Sequence, residues 1–104
     1  MRRVSMTPPT IGLVAERFKA LGEPARLKIL LALREGERTV SELGQDTGLN
    51  QANLSRHLQQ LSATGLVTRR KEGLFVYCAL ADRNVLRMCE LMCGRVTPPA
   101  RGHA

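Results

Sequence analysis

Leu43 to Leu61 reads LGQDTGLNQANLSRHLQQL, and this stretch decides the fold. Two short helical patterns flank a tight turn. Leu43 closes the first helix, and Gly44 offers a smooth surface where two helices cross closely. Gly48 can end a helix in the left-handed backbone region that other residues avoid. Asn50 can cap the next helix, because its side chain accepts from a free backbone N–H. Leu54, Leu58 and Leu61 then recur at i, i+4 and i+7, so one face is apolar. Ala52, Ser55, Arg56, Gln59 and Ala63 fall on the opposite face. A short polar face, basic toward its N-terminal end, is what the second helix of a helix-turn-helix presents to the major groove.

Composition agrees with a polyanionic partner. The 104 residues suffice for one domain with a modest core. Sixteen Lys+Arg against nine Asp+Glu leave a net charge of +7, with a pI near 10.4. A small, strongly basic domain favours nucleic acid. The aromatic residues are Phe18, Phe75 and Tyr77, with no Trp. Single-strand binding by base stacking needs a larger aromatic platform than that. No apolar run approaches the ~20 residues of a membrane span. Arg2 and Arg3 are not followed by the apolar core of a secretory signal. The expected compartment is the cytoplasm, where the three cysteines stay reduced unless they are sensors.

Working outward toward the N-terminus, Thr39 or Ser41 can cap the short helix that carries Val40 and Leu43. Before it, Pro24 suits the first turn of a helix holding Leu27, Ile29, Leu30, Leu31 and Leu33, with Gly36 at its end. That helix is apolar nearly all round and is expected at the buried centre. Ile11, Val14, Phe18 and Leu21 form the stripe of a first helix, stopped by Gly22. Residues 1–10 are expected as a flexible arm, residues 11–96 as the folded domain, and residues 97–104 as a loose tail.

Toward the C-terminus, Gly65 closes the recognition helix, expected over about Gln51 to Thr64. Leu66 to Arg70 and Leu74 to Leu80 are β-prone, with Glu72–Gly73 at the turn between them. A hairpin after a helix-turn-helix is a wing, and its charged tip is placed to meet backbone phosphate or the minor groove. Asp82 can cap a last helix. Its stripe is Val85, Met88, Cys89, Met92 and Val96, widened by Leu86 and Cys93. So apolar a helix at the chain end reads as a dimer contact, shared with the first helix.

The order helix, helix, helix-turn-helix, basic hairpin, apolar helix carries the words LGEPARLKIL, SELG, SRHLQQL and GLV. Together these resemble the ArsR/SmtB family of bacterial winged-helix repressors, over about Phe18 to Met92. The resemblance implies a mainly α fold with a small β-hairpin, a winged helix-turn-helix that dimerises through its first and last helices. It also implies a homodimer on a palindromic double-stranded DNA operator, released when an inducer binds. Gln51, Ala52, Asn53, Ser55, Arg56, His57 and Gln59 are then the groove candidates. Arg56 suits a bidentate contact to guanine, Gln51 or Asn53 a contact to adenine, and Ala52 a thymine methyl. His57 lies at the edge of the leucine face, as a packing or phosphate residue. Arg69, Arg70 and Lys71 supply phosphate contacts and salt dependence.

The inducer is less defined. Soft-metal members of the family carry C-x-C in the helix before the recognition helix, and Thr39 to Gln45 has neither Cys nor His. Zinc-type members carry Asp and His pairs along the last helix. Here only Asp82 is suitably placed, and Arg83 to Val96 contains no His. Cys78, Cys89 and Cys93 remain. They could hold As(III) or another thiophilic metal ion, respond to oxidants or persulfides, or act as small buried hydrophobes. No cofactor is otherwise implied. An enzyme finds little support: C-x-x-C, a Gly-rich phosphate loop, H-E-x-x-H and a paired-carboxylate cleft are all missing. A winged helix serving only protein contacts would want aromatics at its centre.

Overall fold

The structure is a computed structural model that describes residues 6–94. Its helices are α1 (Pro8–Leu21), α2 (Pro24–Ala32), α3 (Val40–Thr47), α4 (Gln51–Ala63) and α5 (Arg83–Cys93). Its strands are β1 (Arg38–Thr39), β2 (Val67–Glu72) and β3 (Phe75–Leu80). The order is that of a winged helix-turn-helix, mainly α with a small antiparallel sheet. The expectations placed on Arg2, Arg3, Val96 and the 97–104 tail lie outside the described residues.

Three boundaries differ from the sequence reading, each for a local reason. The sequence suggests an N-terminal arm through residue 10, yet α1 begins at Pro8. Thr7 caps it by accepting from the Thr10 N–H at 3.4 Å. Pro8 and Pro9 lack the N–H groups that a first turn leaves unpaired, so they start a helix rather than forbid it. α2 ends at Ala32, short of Gly36. Beyond it the chain tightens into three-residue turns, with Arg34 N–H donating to Leu31 O at 3.1 Å and Gly36 N–H to Leu33 O at 3.2 Å. The unexpected β1 then pairs with β3, Arg38 opposite Cys78 and Thr39 opposite Tyr77. The sheet order is β1-β3-β2.

The core joins α2, α3, α4 and the sheet. Ile29, Leu30, Leu33, Leu43, Leu54, Leu58 and Leu61 are all at most 1% exposed. Each such side chain contributes roughly 1.5–3 kcal/mol by leaving water. α2 is not enclosed on every side as its composition suggested: Leu31 is 45% exposed. The stripe of α1 is split: Leu21 packs against the core, whereas Ile11 is 50% and Phe18 58% exposed, and Ala20 is the fully buried residue of the helix. α5 is divided. Val85 and Leu86 are buried, whereas Leu91 and Met92 stand 64% and 65% exposed.

Candidate nucleic-acid interface

Local hydrogen bonds fix the reading helix before any long-range contact acts. At the start of α3, the Thr39 hydroxyl accepts from the Glu42 N–H at 3.1 Å. The Glu42 carboxylate accepts from the Thr39 N–H at 2.8 Å. This reciprocal cap holds the Glu42 carboxyl below its ordinary range. In the turn, the Thr47 hydroxyl donates to Leu43 O at 2.6 Å and accepts from the Leu49 N–H at 3.3 Å. Gly48 sits at φ 74, where a side chain would be strained. The Asn50 side chain then accepts from the Asn53 N–H at 2.8 Å and starts α4. A methyl at Gly44 would meet Leu54 at 3.7 Å, an ordinary contact, so the α3–α4 crossing leaves room there.

α4 separates its residues as the leucine spacing requires. Leu54, Leu58 and Leu61 enter the core, while Gln51, Ala52, Ser55, Arg56 and Gln59 face solvent and Asn53 is half-buried. The Arg56 guanidinium donates to the Asn53 side-chain oxygen at 2.9 Å, which links two of the groove candidates. Among the described residues Arg56 forms no ion pair, so its charge is open to an incoming anion.

His57 does not belong to this face. It is 9% exposed, and its Nδ1 accepts from Arg26 Nε at 3.4 Å. Its position next to the leucine ridge draws it inward, realising the packing alternative. Burial, then the nearby Arg26 and Arg56 charges, pull the imidazole below its ordinary pKa. Arg26 also donates to Ala20 O at 3.2 Å. One guanidinium thus touches the end of α1 and the middle of α4. Sequence reasoning misses this residue; its only signal is an arginine set within the apolar PARLKIL segment.

The wing divides its three basic residues. The register sets Arg69 opposite Cys78, Arg70 opposite Tyr77 and Lys71 opposite Val76. Arg69 and Lys71 therefore share the sheet face that carries Cys78 into the core, and both are exposed. Arg70 lies on the other face. Its guanidinium sits 4.6 Å from the centre of the Tyr77 ring, pairs with Glu37 at 2.8 Å and bonds Glu72. These carboxylates raise its pKa further. Arg70 is thus a strap across the wing, not the free phosphate contact that its place in the basic run suggested. The turn also sits one residue later than expected. Glu72 pairs with Phe75, leaving Gly73 and Leu74 as the loop. Between wing and helices runs a groove of about 730 Å³, lined by Ser41 and Gln45 of α3, Gln51 and Ser55 of α4, and Arg69, Leu74 and Phe75 of the wing.

The cysteines do not converge. Cys78 is fully buried in the core, and burial pushes its thiol up. Cys89 is half-buried and likewise raised, and Cys93 is exposed. Among the described residues no cluster of three His, Cys, Asp or Glu side chains is placed to hold a metal ion. A three-sulfur site within one chain is therefore ruled out, because Cys78 points into the core that β3 helps to build.

Comparison with known proteins agrees with this geometry. The family profile described as "Bacterial regulatory protein, arsR family" matches residues 23–69. The arsenic resistance transcriptional regulator ArsR1 of Pseudomonas putida is 40% identical over 81 residues, covering 77% of this chain and 58% of that protein. The crystal structure of Rv0081 from M. tuberculosis superposes with a TM-score of 0.74 at 35% identity, covering 85% of this chain and 89% of the other. The homodimeric winged helix-turn-helix DNA-binding domain of Mb0332 from Mycobacterium bovis superposes with a TM-score of 0.75 at 34% identity, covering 86% of each. The chain spans only part of some relatives, 35% of the M. tuberculosis regulator Rv0324. No helix among the described residues is long and apolar enough to cross a membrane. Reading helix, wing and relatives together, the chain belongs to the ArsR family of bacterial transcriptional regulators and carries its winged helix-turn-helix DNA-binding domain.

Proposed function

We propose that the chain is a homodimeric repressor that binds a palindromic operator. One observation carries this reading: α4 buries its leucines and turns Gln51, Ala52, Ser55, Arg56 and Gln59 to solvent, with Arg56 unpaired by any acid among the described residues. Those residues and Asn53 read base edges, while Arg69 and Lys71 hold phosphate. Dimerisation is supported by the apolar surface that α1 and α5 leave in water, and by the homodimeric state of the Mb0332 domain. A two-fold pair presents two α4 helices to half-sites about one helical turn (~34 Å) apart or a multiple of it.

The inducer is thiol-directed in this reading: As(III), another soft metal ion, or an oxidant or persulfide. Cys89 and Cys93 are the reachable sulfurs on α5, next to the surface assigned to pairing. An inducer there favours a dimer whose reading helices no longer match the operator spacing. The raised thiols of buried Cys78 and half-buried Cys89 favour a second reading, in which the cysteines only pack and another ligand, or none, controls binding. Mobility shift on the DNA upstream of the gene tests the repressor. Mass spectrometry after As(III) or polysulfide exposure, with Cys89→Ser as control, separates the two inducer readings. A shift lost in the variant supports thiol sensing; no shift with either reagent leaves packing.

A further inference from the structure

A second basic cluster lies at the base of the wing, and the repressor reading leaves it unused. Arg34, just past α2, and Arg83 and Arg87 of α5 line a cleft of about 530 Å³, with Glu90 and Leu91 on the same wall. Arg83 Nη2 donates to Arg34 O at 3.1 Å, which ties the α2 turn to α5 and fixes one guanidinium at the cleft. Arg34 leans toward Glu35 at 3.7 Å. Arg83 and Arg87 form no ion pair among the described residues, Glu90 included. Residues 1–5 and 95–104 contain neither Asp nor Glu that could serve them. Both positions are unfavourable for a cation. Arg83 stands in the first turn of α5, where the helix dipole is already positive and no acid is present. Arg87 follows one turn later, and like charges at that spacing repel. An anion between them offsets both costs.

We propose that this cleft binds a small organic anion, a phosphate or carboxylate head group on an apolar body. The inference does not depend on the repressor reading, because the cleft is remote from the groove candidates. β3 runs about 17 Å from the hairpin tip to Leu80, and α5 starts from that base. Arg38 opposite Cys78 sets the α2 turn at the same end. The last turn of α4 meets it too, Ala81 N–H donating to Leu66 O at 3.0 Å, so Gln51 lies about 18 Å along the helix. On α5, Arg83, Arg87 and Glu90 fall on the side away from Met88, Cys89 and Met92, so pairing through that stripe leaves the cleft open. The guanidinium forks of Arg83 and Arg87 suit the paired oxygens of a phosphate or carboxylate. Three guanidiniums against one carboxylate match the charge of a phosphate monoester best. Leu91, 64% exposed, offers the apolar body a surface. The volume is that of a site for a small metabolite.

Titration of the full chain with phenyl phosphate, inorganic phosphate and benzoate, followed by amide NMR shifts, tests this. The amides of Arg34 and of residues 83–91 should move along one saturation curve. Phenyl phosphate should bind about tenfold more tightly than inorganic phosphate, the effect of covering roughly 55 Å² of ring and leucine. Arg87 is exposed and holds no backbone carbonyl, so Arg87→Gln folds, and it should weaken phenyl phosphate about tenfold or more. Arg69→Gln on the wing should leave the curve unchanged. Whichever of phenyl phosphate and benzoate binds more tightly identifies the head group, and either upholds the cleft. Shifts confined to α4 and the wing, or the same curve for Arg87→Gln as for the wild type, would overturn the site. Equal affinities for phenyl phosphate and inorganic phosphate would overturn the apolar body.

Discussion

Phe18→Ala should separate the two copies without unfolding either. A phenylalanine side chain presents roughly 200 Å². With the residue 58% exposed, about 120 Å² of Phe18 stands in water. Covering that area is worth about 25 cal/mol per Å², or about 3 kcal/mol in each protomer. A two-fold interface holds two copies, so full burial contributes about 6 kcal/mol, an upper bound for side chains that pack incompletely. Half of it is about 3 kcal/mol, more than a hundredfold in the dimer constant. The isolated chain should barely respond, since Phe18 is not among the buried residues and alanine favours a helix by a few tenths of a kcal/mol. Sedimentation equilibrium over a concentration series measures the association constant, and a far-UV melt measures the fold. An unchanged association constant would refute pairing through α1. A lowered melting point with unchanged association would show that Phe18 packs against its own chain.

Arg56→Ala should lower affinity for the operator by about 1–3 kcal/mol per half-site and relax base preference. Lys71→Ala should weaken operator and scrambled duplexes alike, reducing the salt slope by about one for each phosphate left without its lysine. Equal losses on both duplexes for Arg56→Ala would defeat its assignment to a base. Asn50→Ala removes the cap of α4 and should cost about 1 kcal/mol in a denaturant titration, with the midpoint falling and the slope constant. Acid should weaken the fold through His57, whose native pKa lies below its unfolded value of about 6.5. The unfolded chain takes up the proton first, so stability is full above that value and declines as pH falls from it to the lower native pKa. Thermal melts at descending pH should show this decline, and His57→Gln should flatten it over that window.

The turn between α3 and α4 is legible in the sequence because its determinants are local. Gly48, Asn50 and the spacing of Leu54, Leu58 and Leu61 each act within a few residues of where they stand. The start of α1 at Pro8 is harder to read, since the same ring that disrupts a helix interior suits its first turn. β1 carries no signal of its own: two residues become a strand only because β3 offers them an edge. The fates of His57 and Arg70 are hidden for a related reason. Both depend on residues 31 and 33 positions away, Arg26 and Glu37, and no periodicity reports such a partner. The exposed stripes of α1 and α5 are readable as apolar, but which side they face requires the packed core.

The bridging position of Arg26 has a bearing on how α1 is held against the rest of the domain. Its guanidinium spans the carbonyl end of α1 and an imidazole in the middle of α4. The two helices are thus joined by hydrogen bonds from a single side chain, in addition to their apolar packing. Parting Ala20 from His57 costs at least one of these two bonds, so the relative placement of the helices rests on one residue outside the leucine core.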